Sequence, residues 1–173
     1  MSKQMIPHLG VPLNLTRAQG AGLVTHYWDC CKPNCGRDEG QGKDRIALGT
    51  MCDIDGNKVG SKGTKADSAC QHGGIDGVIM CPDQQPFLDA ASKRWMGFIA
   101  SGDYGSLGDC CDCYDLRFSS GQEMTVQITN HGGLSGLFDF LVPGGGFGDF
   151  DGCSKIFPRA SSVPQDRYGG LHA

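Results

Sequence analysis

Apolar residues along this chain come in short runs broken by turn formers, the pattern of small β-elements more than of long amphipathic helices. Residues 1–20 hold two prolines and few large apolar side chains, so they read as a disordered or linker-like lead-in. From residue 21 to 173 one domain is expected. "LVTHYW" (23–28) reads as a strand, and the polar, Gly/Lys/Asp-rich segment 36–65 as a long disulfide-tethered loop. Within it, "DIDGN" (53–57) has a calcium-loop flavour but lacks the twelve-residue ligand pattern and closing Glu, and is read as a turn. In "QPFLDAASKRWMGFIAS" (85–101), Phe87, Leu88, Ala91, Trp95 and Phe98 fall at helical spacing with Pro86 in the first turn, which predicts the main helix. "CYDLRFSS" and "MTVQITN", split by "SGQE", predict a hairpin. "LFDFLV" (137–142) is a strand interrupted by one acid, and the glycine run after it calls for backbone freedom or close approach. The expected fold is mainly β, with long loops and one main helix.

Composition narrows this picture. A chain of 173 residues suits a single domain. The net charge of −4 and the absence of any basic block argue against nucleic acid and anionic membranes as partners. No apolar stretch is long enough to span a membrane, and the first twenty residues contain no continuous apolar core of a secretory leader. Ten cysteines nevertheless point to a disulfide framework made in an oxidising compartment. Zinc would call for spaced CxxC or Cys/His pairs, whereas these clusters are CC, CCxC and isolated cysteines away from the histidines, so no metal or other cofactor is expected. The competing reading is a cytosolic protein with free thiols.

Two carboxylates stand in unusual places. Asp139, between Phe138 and Phe140, is expected to be desolvated and to hold its proton. Asp29, between Tyr27-Trp28 and Cys30-Cys31, is expected to sit among turns and polar neighbours and stay ionised. An acid and a base with separated pKa values are what glycosidic hydrolysis requires. The bland alternative is that each caps a turn or strand end. Tyr27, Trp28 and Phe87 could stack on sugar faces or could equally be core.

"THYWDCCKPNCG" resembles the signature of glycoside hydrolase family 45, and the resemblance continues in order through "ACQHGGIDGVIMCPDQQPF", "GFIA", "DCCDCYDLRF", "VQITNHGG", "FDFLVPGGGFGDFDGC" and "RYGG", over roughly residues 21–170. It implies a six-stranded double-psi β-barrel, disulfide-rich, with an open groove for a β-1,4-glucan chain. The activity implied is that of an inverting endo-β-1,4-glucanase, secreted, monomeric and without cofactor. By the family's roles Asp29 is the general base and Asp139 the general acid, and Thr25, Tyr27, Trp28, Phe87 and Phe138 contact substrate. The implied disulfides are Cys30–Cys153, Cys31–Cys70, Cys35–Cys110 and Cys52–Cys81.

The sequence also departs from the family pattern. "GGLSGLFDF" stands where the family has GGDLG before HFDL, so the loop is shorter, its Asp is absent and Leu137 replaces a His. Arg37 and Phe87 stand where Trp is frequent. The family continues beyond "RYGG" with more cysteines, whereas this chain ends at Ala173; the resemblance therefore implies a C-terminally truncated member in which Cys111 and Cys113 lack partners. The alternative function is an expansin-like wall-loosening or glucan-binding protein, which shares the barrel and the Phe-Asp segment but not the counterpart of Asp29.

Overall fold

The computed structural model describes residues 4–5, 12–13, 22–36, 51–102, 110–133 and 136–156. Arg37, "RYGG" and most of the expected lead-in lie outside the described residues. In the lead-in, β1 (Gln4–Met5) pairs antiparallel with β2 (Pro12–Leu13). The remaining strands are β3 (Leu23–Tyr27), β4 (Met51–Cys52), β5 (Ile79–Met80), β6 (Phe87–Leu88), β7 (Trp95–Ser101), β8 (Cys113–Arg117), β9 (Glu123–His131) and β10 (Leu137–Leu141).

One mixed sheet of six strands organises the molecule, in the order β3-β10-β7-β9-β8, with β6 sharing the β10 edge of β7. The β3–β10 and β7–β9 pairs are parallel; β10–β7, β6–β7 and β8–β9 are antiparallel. The class is therefore β, with six strands in the main sheet; among the described residues its outer strands β3 and β8 do not pair with each other. The expected hairpin is present as β8–β9, Phe118 and Gln122 closing its turn through Phe118 N–H to Gln122 O at 2.9 Å. "DIDGN" is a turn: the Asp53 carboxylate accepts the Asp55 and Asn57 N–H groups at 3.0 and 2.9 Å.

The expected main helix over 85–101 is corrected by the structure to two strands, β6 and β7, joined by a tight turn. Asp89 makes that turn. Its side chain accepts the Ser92 N–H at 2.8 Å, its own N–H donates to Arg94 O at 2.9 Å, and Lys93 adopts φ 58°. A short Asp or Ser side chain that bonds nearby backbone competes with helix in this way. β7 itself is central and buried on both faces, so its sequence is a continuous apolar run with no alternation to announce a strand. Phe98 and Ala100 point into one core cluster with Tyr27, Trp28 and Leu141; Ile99 points into the other with Tyr114, Val126, Ile128 and Phe140. Each buried Val, Leu, Ile or Phe among them contributes about 1.5–3 kcal/mol by leaving water. The α-helical structure among the described residues is the single turn α1 (Cys153–Ile156).

Four disulfides fasten the loops to this sheet: Cys30–Cys153, Cys31–Cys70, Cys35–Cys110 and Cys52–Cys81, the same pairings that the family resemblance implies. Cys111 and Cys113 are free thiols. No helix among the described residues is long and apolar enough to cross a membrane.

Candidate active site

The parallel β3–β10 pair brings the two anomalous carboxylates to one place. Register sets Asp139 opposite Thr25, and the Thr25 hydroxyl donates to Asp139 Oδ1 at 2.6 Å. Tyr27 follows on the same face of β3, and Asp29 lies just past the end of that strand. Here the chain turns sharply: Cys30 has φ 56°, a left-handed conformation that costs about 1–3 kcal/mol for a residue with a side chain. The bridge to Cys153 holds Cys30 in it, and the next residue, Cys31, is bridged to Cys70. The Cys31 N–H donates to Asp29 Oδ1 at 2.9 Å.

The glycine run after β10 closes over this strand end. Trp28 N–H donates to Gly146 O at 2.6 Å, and Gly145 carries no Cβ because one would stand 2.7 Å from Val142 O and 3.0 Å from Tyr27 N. Gly152 is tighter still. Its N–H donates to Asp29 O at 3.1 Å, and a Cβ there would collide with Cys70 Cβ and lie 2.6 Å from Asp29 O.

Burial overturns one expectation about the pair. Asp29 is 8 % exposed, and burial pushes its carboxyl up to about 6, opposed by the Cys31 N–H and reinforced by the charge of Asp139. Asp139 is only half-buried; its desolvation also raises its pKa, against the Thr25 hydrogen bond and the nearby His26. The more deeply desolvated acid is therefore Asp29, not Asp139. Tyr27, Trp28, Cys30 and Cys153 around Asp29 are core residues, so the turn that carries it lies inside. Tyr27 senses both carboxylates: burial first, then Asp29 and Asp139, push its phenol well above the ordinary value, against a hydrogen bond from Asn130.

The other expected contact residues separate. Thr25 is exposed beside Asp139, and Phe138 is half-buried on the opposite side of β10, packed on the second core cluster. Trp28 is buried in the core cluster at 6 % exposure, beside Tyr27. Phe87 is half-buried against the core, stacked on Phe98 with ring centres 6.4 Å apart. The open aromatic rings among the described residues are instead Trp95 and Phe150, the latter two residues before Gly152. Asn130 was also missed: its Nδ2 donates to the Tyr27 hydroxyl at 2.8 Å. Nothing in "VQITNHGG" announces it, because the contact depends on a strand irregularity.

Cys35, Cys110 and His131 cluster closely enough to ligate a metal, but the two sulfurs are bonded to each other and offer no thiolate; His131 Nε2 lies 3.5 Å from Cys110 Sγ.

The sequence profile of glycosyl hydrolase family 45 matches residues 21–173. An endoglucanase of Cryptopygus antarcticus is 38% identical over 161 residues, covering 88% of this chain and 67% of that protein. An endoglucanase of Phaedon cochleariae is 36% identical over 163 residues, covering 89% and 64%. Endoglucanase B of Cellvibrio japonicus is 32% identical over 170 residues, covering 88% of this chain and 31% of that protein, so the chain spans from about a third to two thirds of these relatives. The crystal structure of the cellulase from the Antarctic springtail Cryptopygus antarcticus superposes with a TM-score of 0.70 at 34% identity, covering 91% of this chain and 75% of that one.

Proposed function

This chain belongs to glycosyl hydrolase family 45, and on that premise we propose that it is an endo-β-1,4-glucanase, working outside the cell as a monomer without cofactor, that cleaves internal bonds by single displacement with inversion. The observation that supports this reading best is the placement of two carboxyls about one strand end, Asp139 opposite and bonded to Thr25 and Asp29 buried just beyond Tyr27. Paired acids flanking a bond are the machinery of glycoside hydrolysis.

Asp29 takes the part of the base. At a pKa of about 6 it is a stronger base than an ordinary Asp yet remains ionised at neutral pH, and the Cys31 N–H holds its charge. A water oxygen attacks the anomeric carbon while Asp29 accepts one of its protons. Asp139 donates a proton to the departing glycosidic oxygen as the carbon–oxygen bond breaks, and the new reducing end carries the α configuration. Thr25 occupies Oδ1 of Asp139, so the acidic proton resides on Oδ2. A glucan lying against the exposed Thr25 and half-buried Asp139 would strip water from Asp139 and raise its pKa further.

The deeper burial of Asp29 favours a second assignment, with Asp29 as acid and Asp139 as base. Aryl β-cellobiosides with good leaving groups separate the two. Asp139→Asn is expected to lose the polymer reaction and retain the activated substrate, which needs no protonation, while Asp29→Asn loses both. The opposite pattern exchanges the roles. A β-configured first product by NMR would overturn inversion. Wall extension or filter-paper binding without released reducing ends would favour the expansin-like alternative.

A further inference from the structure

Asn130 stands in the same cross-strand row as the acid. Thr25, Asp139, Ala100 and Asn130 are successive register partners across β3, β10, β7 and β9. Asn130 reaches this row because the β7–β9 register shifts by one residue between Ile99 and Ala100: Ile128 pairs with Ile99, but Asn130, not Thr129, pairs with Ala100. A one-residue bulge re-aims every side chain beyond it. Without it, Asn130 would lie on the opposite face of β9. Thr129, the extra residue, is fully buried with no partner for its hydroxyl among the described residues.

The hydrogen bonds around Asn130 leave one arrangement of donors. The Asn34 backbone N–H, 2.8 Å away, can only donate, so the Asn130 atom facing it is the amide oxygen. The amide nitrogen therefore faces Tyr27, and since an NH₂ group can only donate, the Tyr27 oxygen accepts. Asn34 is itself fixed: its side-chain NH₂ donates to His131 O at 2.8 Å, and its neighbour Cys35 is bridged to Cys110. The Tyr27 hydrogen is left to donate elsewhere, and no acceptor for it is found among the described residues. The charges that Tyr27 senses are Asp29 and Asp139.

We propose that Asn130 is a positioning residue, which by donating to the Tyr27 oxygen holds the Tyr27 hydroxyl as a hydrogen-bond donor to the reacting sugar or water between Asp29 and Asp139. This rests on the hydrolase reading above. Asn130 itself touches no substrate; the bulge and the Asn34 contact preset it, so no reorientation is needed when charge moves.

The experiment is a double-mutant cycle with Asn130→Ala and Tyr27→Phe, together with the near-isosteric Asn130→Asp. The aspartate keeps the Asn34 contact but can only accept, so it draws the Tyr27 hydrogen away from the site. Asn130→Asp is expected to lower kcat roughly 10²-fold, as for loss of a preorganised donor, with KM little changed and each variant assayed at its own pH optimum. Asn130→Ala/Tyr27→Phe is expected to be no slower than Tyr27→Phe alone. Losses that multiply, or Asn130→Asp at the wild-type kcat, overturn the proposal. The near-ultraviolet absorption of the tyrosines supplies a readout independent of turnover: in Asn130→Asp the Tyr27 hydroxyl donates to a carboxylate, which should move the Tyr27 band to longer wavelength, and an unshifted spectrum overturns the proposal. If the wild-type chain released no reducing ends from any β-1,4-glucan, the hydrolase reading would fall, and the spectrum would still decide whether Asn130 sets the Tyr27 proton.

Discussion

Asp29→Asn is expected to make the protein inactive and more stable. Asp29 is 8 % exposed, and its carboxyl rises from 3.8 to about 6 on folding, with burial the first cause. Between these two values the folded chain holds a proton that the unfolded chain has released. Stability therefore falls as pH rises from about 4 to about 6, and the loss persists at neutral pH. At about 1.4 kcal/mol per tenfold change in the protonation equilibrium, the destabilisation at pH 7 is of order 2–3 kcal/mol. Asparagine removes the buried charge while its oxygen still accepts the Cys31 N–H, a contact of 2.9 Å in the parent. The variant should match the wild type near pH 4 and exceed it by about 2–3 kcal/mol at pH 7, or about 4–12 °C in melting temperature for a domain of this size. Denaturant melts of both proteins across pH 4–8 measure the difference directly. A variant no more stable than the wild type at pH 7, or one whose advantage does not grow with pH, would refute the reasoning that burial sets the Asp29 pKa.

Two further outcomes follow from the packing. Gly152→Ala should cost about 3 kcal/mol or more, the upper end for overpacking, because the added methyl meets the Cys70 disulfide and the Asp29 carbonyl and neither can yield cheaply; a melt within a degree of wild type would show that the Asp29 turn is soft. Cys111 and Cys113, pushed up to about 11 and 12 mainly by burial, should resist alkylation in the native state, with only about one Cys111 in a thousand ionised at pH 8. After denaturation, mass mapping should find both labelled, and a Cys111–Cys113 bridge would contradict the free thiols seen here.

Much of this protein was legible without coordinates. Turn chemistry is local, so "DIDGN" and the "SGQE" hairpin were readable from a few consecutive residues. Cysteine density announced a stapled β domain, and the run from Tyr27 to Cys31 marked Asp29 as unusual before its surroundings were known. What the sequence could not decide depends on residues far apart in the chain. Phe87 to Phe98 carry a helical spacing, but strands on both edges and cores on both faces make β7 a central strand, and non-local pairing outweighs local propensity. Asp29 has polar and aromatic neighbours in sequence, yet its pKa is set by the packing of the Cys153 and Cys70 segments around it. Trp28 could have been a sugar platform or core, and only its neighbours in space made it core. Asn130 joins the row of Asp139 because of a single bulge, since side chains alternate across a strand and one extra residue reverses every assignment beyond it.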